Sequence, residues 1–201
     1  MIDLDATITF IAVTLYTPGP NNILCASLGA LYGYRRTVPF IMGAVAGFWL
    51  VMALCAFLAG GLNRLVPGAV PVLKYVGAGY ILWLAWGVYQ SSGRLLEKSE
   101  EARPLGFLNG FALQFVNPKV AFFGLTLFSL FLSEWSTSFL TLLWVPILLA
   151  LVGFSANAIW AFGGQAIMKR LGTPGRARAL GVVLSSALVY IALDLADLLP
   201  W

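Results

Sequence analysis

Apolar residues fall into six long stretches separated by short polar ones, near positions 6–31, 40–61, 72–90, 107–132, 139–167 and 179–199. Each approaches or exceeds the roughly 20 residues that a helix needs to cross a hydrocarbon core about 30 Å thick. The pattern therefore predicts six transmembrane helices. The first, fourth and fifth stretches are longer than a straight crossing requires, which suits tilted or broken helices.

Two of the stretches are interrupted. In the first, Thr17-Pro18-Gly19-Pro20-Asn21-Asn22 puts two prolines and a glycine inside apolar sequence. The prolines have no N–H to donate and clash with the preceding turn, and the glycine adds backbone freedom. In lipid such a break is tolerated only where it is buried in protein or lines a wet cavity, because unpaired backbone groups are costly in hydrocarbon. The fourth stretch carries the counterpart, Gln114-Phe115-Val116-Asn117-Pro118-Lys119. Paired interruptions, one per half, point to the binding site of a secondary transporter built from internal repeats.

Charge sets the expected topology. Arg35 and Arg36 follow stretch one, Arg94, Lys98 and Arg103 follow stretch three, and Lys169, Arg170, Arg176 and Arg178 follow stretch five. These loops hold nine of the twelve basic residues, so the positive-inside rule makes them cytoplasmic and both termini periplasmic. Three helices per half then require opposite orientations: two inverted three-helix repeats, 1–90 and 107–201, joined by a cytoplasmic linker at 91–106. Weak internal similarity agrees, as in Gly47-Phe48 against Gly153-Phe154 and Tyr80-Ile81 against Tyr190-Ile191. The fold class is an all-α integral membrane protein forming one transporter domain.

Composition narrows the function. With 60% apolar and 10% charged residues and a mean hydropathy of +0.89, the chain lies outside the soluble range. The net charge of +4 resides in topology signals and does not indicate a nucleic-acid partner. There is no histidine, which removes the usual proton shuttle, the commonest metal ligand and any Ser-His or Cys-His pair. Cys25 and Cys55 lie in apolar sequence and read as buried small hydrophobes, not as a metal site. No cofactor is implied. The start Met1-Ile2-Asp3-Leu4-Asp5 lacks the basic region of a signal peptide, so the first helix is expected to stay in the mature protein. Gly43 and Gly47, with Gly77, Gly79 and Ala85, read first as close seams between helices, with a homodimer face as the alternative use.

Lys119 is the most informative residue. Entering stretch four at Phe107, twelve residues at 1.5 Å each place it about 18 Å deep. A lysine near the bilayer centre costs roughly 2.5 to 3.5 kcal/mol, so it should face a cavity or a partner. Pro118 suits the first position of a half-helix, whose free N–H groups, beside Lys119, would favour a carboxylate. Pro20, Asn21 and Asn22 offer the matching half-helix start. An amino acid has one carboxylate, and its ammonium could use oxygens around Thr17 and Val116 and those of Gln114 and Asn157. The candidate substrate-binding set is thus Thr17, Pro18, Gly19, Pro20, Asn21, Asn22, Gln114, Asn117, Pro118, Lys119 and Asn157. A structural inter-helix hydrogen bond is the equal alternative for Asn157. Lys119 and Asp194 are the coupling candidates, Asp194 lying near the outer face where it could instead pair with Lys74 or meet water.

Thr17 to Asn22, Gly43 to Phe48, Tyr80 to Trp86, Gln114 to Lys119, and Gly153 with Asn157 and Trp160 together resemble the LysE/RhtB amino-acid exporters over essentially the whole chain. Val51 to Ala56 and Phe111 to Asn117 are most similar to the cysteine and O-acetylserine exporter branch. The resemblance implies efflux of small neutral amino acids (cysteine or O-acetylserine first, then homoserine, threonine or aliphatic residues) through the bacterial inner membrane, driven by proton motive force. An exporter of another small solute or cation on this fold is the rival, although a cation would want carboxylates or histidine in the cavity. A membrane-embedded enzyme would have only Lys119 to serve as base or nucleophile.

Overall fold

The computed structural model describes residues 4–58, 69–94, 105–132, 139–171, 174–196 and 198. They form eight α-helices and no strand. In chain order these are α1 (Leu4–Tyr16), α2 (Pro20–Tyr32), α3 (Tyr34–Leu58), α4 (Ala69–Arg94), α5 (Phe107–Val116), α6 (Pro118–Thr126), α7 (Phe139–Leu171) and α8 (Pro174–Leu195). A π-helical turn, Leu127–Phe131, continues α6 and closes on the bond from Leu132 N–H to the Leu127 carbonyl, 2.8 Å.

Both interruptions divide a helix where proline withholds a donor. Pro20 and Pro118 each open the helix that follows, where the missing N–H has no intrahelical partner to lose. The halves have 13 and 13 residues in the first pair and 10 and 9 in the second. At 1.5 Å per residue none of them spans a bilayer alone. By length and composition, two helices among the described residues can, over Tyr34–Phe57 and Leu143–Arg170.

Helix ends differ from the sequence expectation in one consistent way. Arg35 and Arg36, expected in a loop, lie in the first turn of α3; Lys169 and Arg170 close α7; and positions 91–94 of the expected linker extend α4. Long basic side chains let a helix run past its apolar stretch while the charge stays near water. The rest of the linker up to Pro104, together with Arg64 and Glu134, lies outside the described residues. So do the side chains of Lys74 and Asp194, although both positions are helical.

One residue joins α2 to α3. Gly33 adopts a φ of +82°, which glycine reaches without strain, and donates to the Gly29 carbonyl at 3.0 Å. The Tyr34 N–H, which opens α3, is received by Gln165 Oε1 of α7.

The interior has two apolar clusters on opposite sides of the breaks. One gathers Leu24 and Leu28 of α2 with Phe40, Ile81, Leu84, Leu113 and Leu188. The other gathers Phe48 and Met52 of α3 with Val120, Phe123, Leu127, Phe128 and Leu149. Around the first, helices meet backbone to backbone. A Cβ on Gly29 would land on the Ala161 carbonyl, and one on Gly164 on that of Ala26, which seams α2 to α7. Equivalent overlaps of Gly43 with Phe107 and of Gly110 with Phe40 seam α3 to α5. Gly43 and Gly47 therefore face α5 within this chain, whereas Gly79 meets nothing within 4 Å among the described residues. On the other side the close contacts are with side chains: a Cβ on Gly124 would come within 2.7 Å of Met52 Cε and 2.8 Å of Cys55 Sγ. Only Thr7 of α1 is buried, and Phe10 holds α1 by stacking on Phe123 and Phe131, with centroids 5.5 and 4.8 Å apart.

Candidate functional site

The first break leaves backbone carbonyls without their helical donors, and side chains replace each one. Pro18 cannot donate to the Thr14 carbonyl, which instead receives the Thr17 hydroxyl at 3.3 Å. Pro20 cannot donate to the Tyr16 carbonyl, which receives the Trp160 indole N–H at 3.1 Å. Asn22 Nδ2 donates to the carbonyls of Leu15 and Thr17 at 2.9 and 2.8 Å. The carbonyls that the break frees, those of Thr14, Leu15, Tyr16 and Thr17, are thus each bonded by a side chain.

Lys119 crosses to this break from the second one. Its Nζ donates to the Thr17 carbonyl at 3.0 Å, to Thr17 Oγ1 at 3.1 Å and to the Pro18 carbonyl at 3.4 Å. Three oxygens meet the three donors of an ammonium. The lysine stem passes over Gly19, where a Cβ would come within 2.9 Å of Lys119 Cδ. Gly19 is extended, with φ of −168°, so its value here is the missing side chain and not unusual torsion.

Asn117 shapes the second break. It caps the end of α5 and the start of α6 together: its Oδ1 accepts from Lys119 N–H at 3.1 Å and its carbonyl from Val120 N–H at 3.0 Å. The start of α6 therefore differs from the expected anion site, because an Asn N-cap has already taken the donors. The start of α2 is different: Gly19 brings no side-chain cap.

Asn21 and Gln114 form a reciprocal amide pair, 2.8 and 2.9 Å, that ties α2 to α5, and Gln114 also donates to the Gly110 carbonyl at 3.0 Å. Gln114 is fully buried and outside the cavity lining. Asn157 of α7 is 6% exposed, lines the cavity, and has no hydrogen-bond partner among the described residues.

These groups surround a small cavity of about 40 Å³ that is open on one side. Of the residues expected from sequence, Gly19, Pro20, Asn21, Asn22, Asn117, Lys119 and Asn157 line it. Thr17 and Pro18 adjoin it through Lys119. The cavity lies on the α1 and α6 side of the breaks, where Thr14, Leu15, Val45, Phe48, Val120, Phe123 and Gly153 complete the wall. Sequence reasoning missed that apolar wall and the role of Trp160. A tryptophan amid apolar residues carries an N–H that must find an acceptor, which was the available signal. Tyr16, whose hydroxyl lies 2.6 Å from Ser155 Oγ, is a second contact of α1 with α7 that the pattern did not single out. Among the described residues no group of three metal-ligating side chains occurs.

Comparison with known proteins places this arrangement. The LysE type translocator family matches residues 12–197, which include both breaks and every residue of the cavity. The chain belongs to the LysE family. This LysE chain is 38% identical to the cysteine/O-acetylserine efflux proteins of Salmonella typhimurium (strain LT2) and Escherichia coli (strain K12). In each case the match covers 94% of the chain and 95% of the relative. The corresponding protein of Salmonella paratyphi A matches to the same extent. No solved structure matches significantly. Translocators of the LysE family are membrane proteins.

Proposed function

We propose that the protein exports small neutral amino acids, cysteine and O-acetylserine first among them, from the cytoplasm across the bacterial inner membrane. The observation that carries this reading is the cavity between the two breaks. It offers an ammonium-binding group of oxygens at Thr17 and Pro18, an uncapped helix start at α2 and the unpartnered amide of Asn157. A zwitterion needs acceptors for its ammonium and donors for its carboxylate, and a helix start with an amide supplies the latter. The Phe48 and Phe123 side of the wall suits a short side chain. The names of the relatives support the same substrates.

In this reading α1 with α2, and α5 with α6, each form one broken crossing, and α3, α4, α7 and α8 complete six. The halves are inverted repeats that rock about the site in alternating access, with export powered by the proton motive force. The positive-inside bias puts the two glycine seams on the cytoplasmic side. That supports reading this conformation as closed toward the cytoplasm, with the cavity on the periplasmic side of the breaks. Lys119 is engaged by Thr17 and Pro18, so the carboxylate is assigned to α2 and Asn157, not to the ammonium of Lys119.

Proteoliposomes loaded with labelled L-cysteine or O-acetylserine test the reading. Protein-dependent efflux of chemically unchanged amino acid, driven by an imposed pH gradient, is the expected result. Absence of flux for these and for homoserine, threonine and leucine would refute it, and appearance of a new product would mark an enzyme.

A further inference from the structure

Resting on the exporter reading, we propose that the ammonium of Lys119 occupies the position that the substrate's own ammonium takes, so that binding of an amino acid expels the lysine as a neutral amine and releases its proton. The cage is made of neutral oxygens, Thr17 O, Thr17 Oγ1 and Pro18 O, at 3.0, 3.1 and 3.4 Å. These oxygens lie at the edge of the cavity and are complementary to a primary ammonium, the one group that every standard amino acid except proline shares with lysine. Two cations cannot share one set of three neutral oxygens.

Among the described residues no other charge on the protein relieves the conflict. Lys119 is the one ionisable side chain in the cavity wall among the described residues. On the elements packed around it, Tyr16 has its hydroxyl engaged with Ser155. Asp5 lies in the first turn of α1, Arg35 and Arg36 in that of α3, and Lys169 and Arg170 in the last turn of α7, all at helix ends. The thiols of Cys25 and Cys55 are buried in the two apolar clusters.

The step balances simply. The Lys119 ammonium becomes an amine, its proton passes to water, and the substrate ammonium keeps its protons and accepts the oxygens. When the amino acid leaves on the far side, the amine takes a proton from the water there and returns to the cage. Each amino acid carried one way is thereby matched by one proton carried the other way. The same lysine keeps the cage filled in the empty carrier, and Gly19 allows it, because the stem must pass where a methyl group would stand.

Calorimetry on the purified full-length protein at pH 6.5, in two buffers of different ionisation enthalpy, counts protons released on binding. L-cysteine should release about one proton from the wild type, by linkage between substrate and proton binding. 3-Mercaptopropionate, which is L-cysteine without its amino group, should release none. Lys119→Met should bind L-cysteine without proton release, and the wild-type arms keep the test independent of how that variant folds. Binding of L-cysteine to the wild type with no proton release would overturn the proposal while leaving the exporter reading intact. Equal release by Lys119→Met or with 3-mercaptopropionate would overturn it as well. Absence of L-cysteine binding to the wild type would overturn both.

Discussion

Lys119 was legible as costly because twelve residues from Phe107 it has no short route to water, but its partners were not. Sequence says which side chain is expensive in a membrane; it does not say which oxygens the chain brings to it. Asn22 illustrates the reverse. As an amide beside a break it reads as a ligand, and it does line the cavity, but its Nδ2 is used on the Leu15 and Thr17 carbonyls. Two residue-level predictions follow from the bonded break. Gly19→Ala should displace the lysine stem, which the added methyl would meet at 2.9 Å. Efflux in proteoliposomes should then fall about tenfold or more, as misplacement of a reacting or binding group commonly does; a wild-type rate would mean that the stem does not need this path. Trp160→Phe removes the donor to the Tyr16 carbonyl. It should lower stability by about 1 kcal/mol, read as a shift in thermal unfolding in detergent. No shift would mean that the bond contributes nothing.

At the scale of elements, the breaks themselves were readable, since a proline's missing N–H is a property of the residue and not of its surroundings. The junction Asn117-Pro118 was read for its proline and not for its asparagine. Asn at the N-cap followed by Pro at the first turn is a self-contained helix start, and that is why α6 has few donors to offer an anion. Which glycines make seams was only partly legible. Gly43 and Gly79 look alike in sequence, but the first meets the Phe107 backbone and the second meets nothing within 4 Å among the described residues. Replacing a seam glycine should hence be much harsher than replacing an open one. Gly43→Leu should destabilise the protein by about 1–3 kcal/mol through overpacking, whereas Gly79→Leu should be close to neutral. Equal shifts in unfolding temperature would contradict the packing described here. Pro20→Ala restores an N–H that competes with Trp160 for the Tyr16 carbonyl, and it should straighten the first broken crossing and slow efflux. Unchanged turnover would mean that the break is only a kink.

At the scale of the whole molecule, hydropathy and charge bias gave the number and direction of the expected crossings because they depend on sums over many residues. They carried no information on which conformation the helices adopt. The two sides differ in kind of contact: glycine-to-backbone seams around Leu24 and Leu28, and ring stacking where Phe10 meets Phe123 and Phe131. The account stands on the cavity between the breaks as the place where the amino acid sits. Protection from thiol labelling tests this most directly, in a background with Cys25 and Cys55 replaced by alanine. A cysteine introduced at Val120, in the cavity wall, should react several times more slowly when O-acetylserine is present, while one at Leu108, on the exposed face of α5, should react at the same rate with or without it. Equal labelling at Val120 with and without O-acetylserine, in protein that transports it, would place the substrate elsewhere and contradict the account.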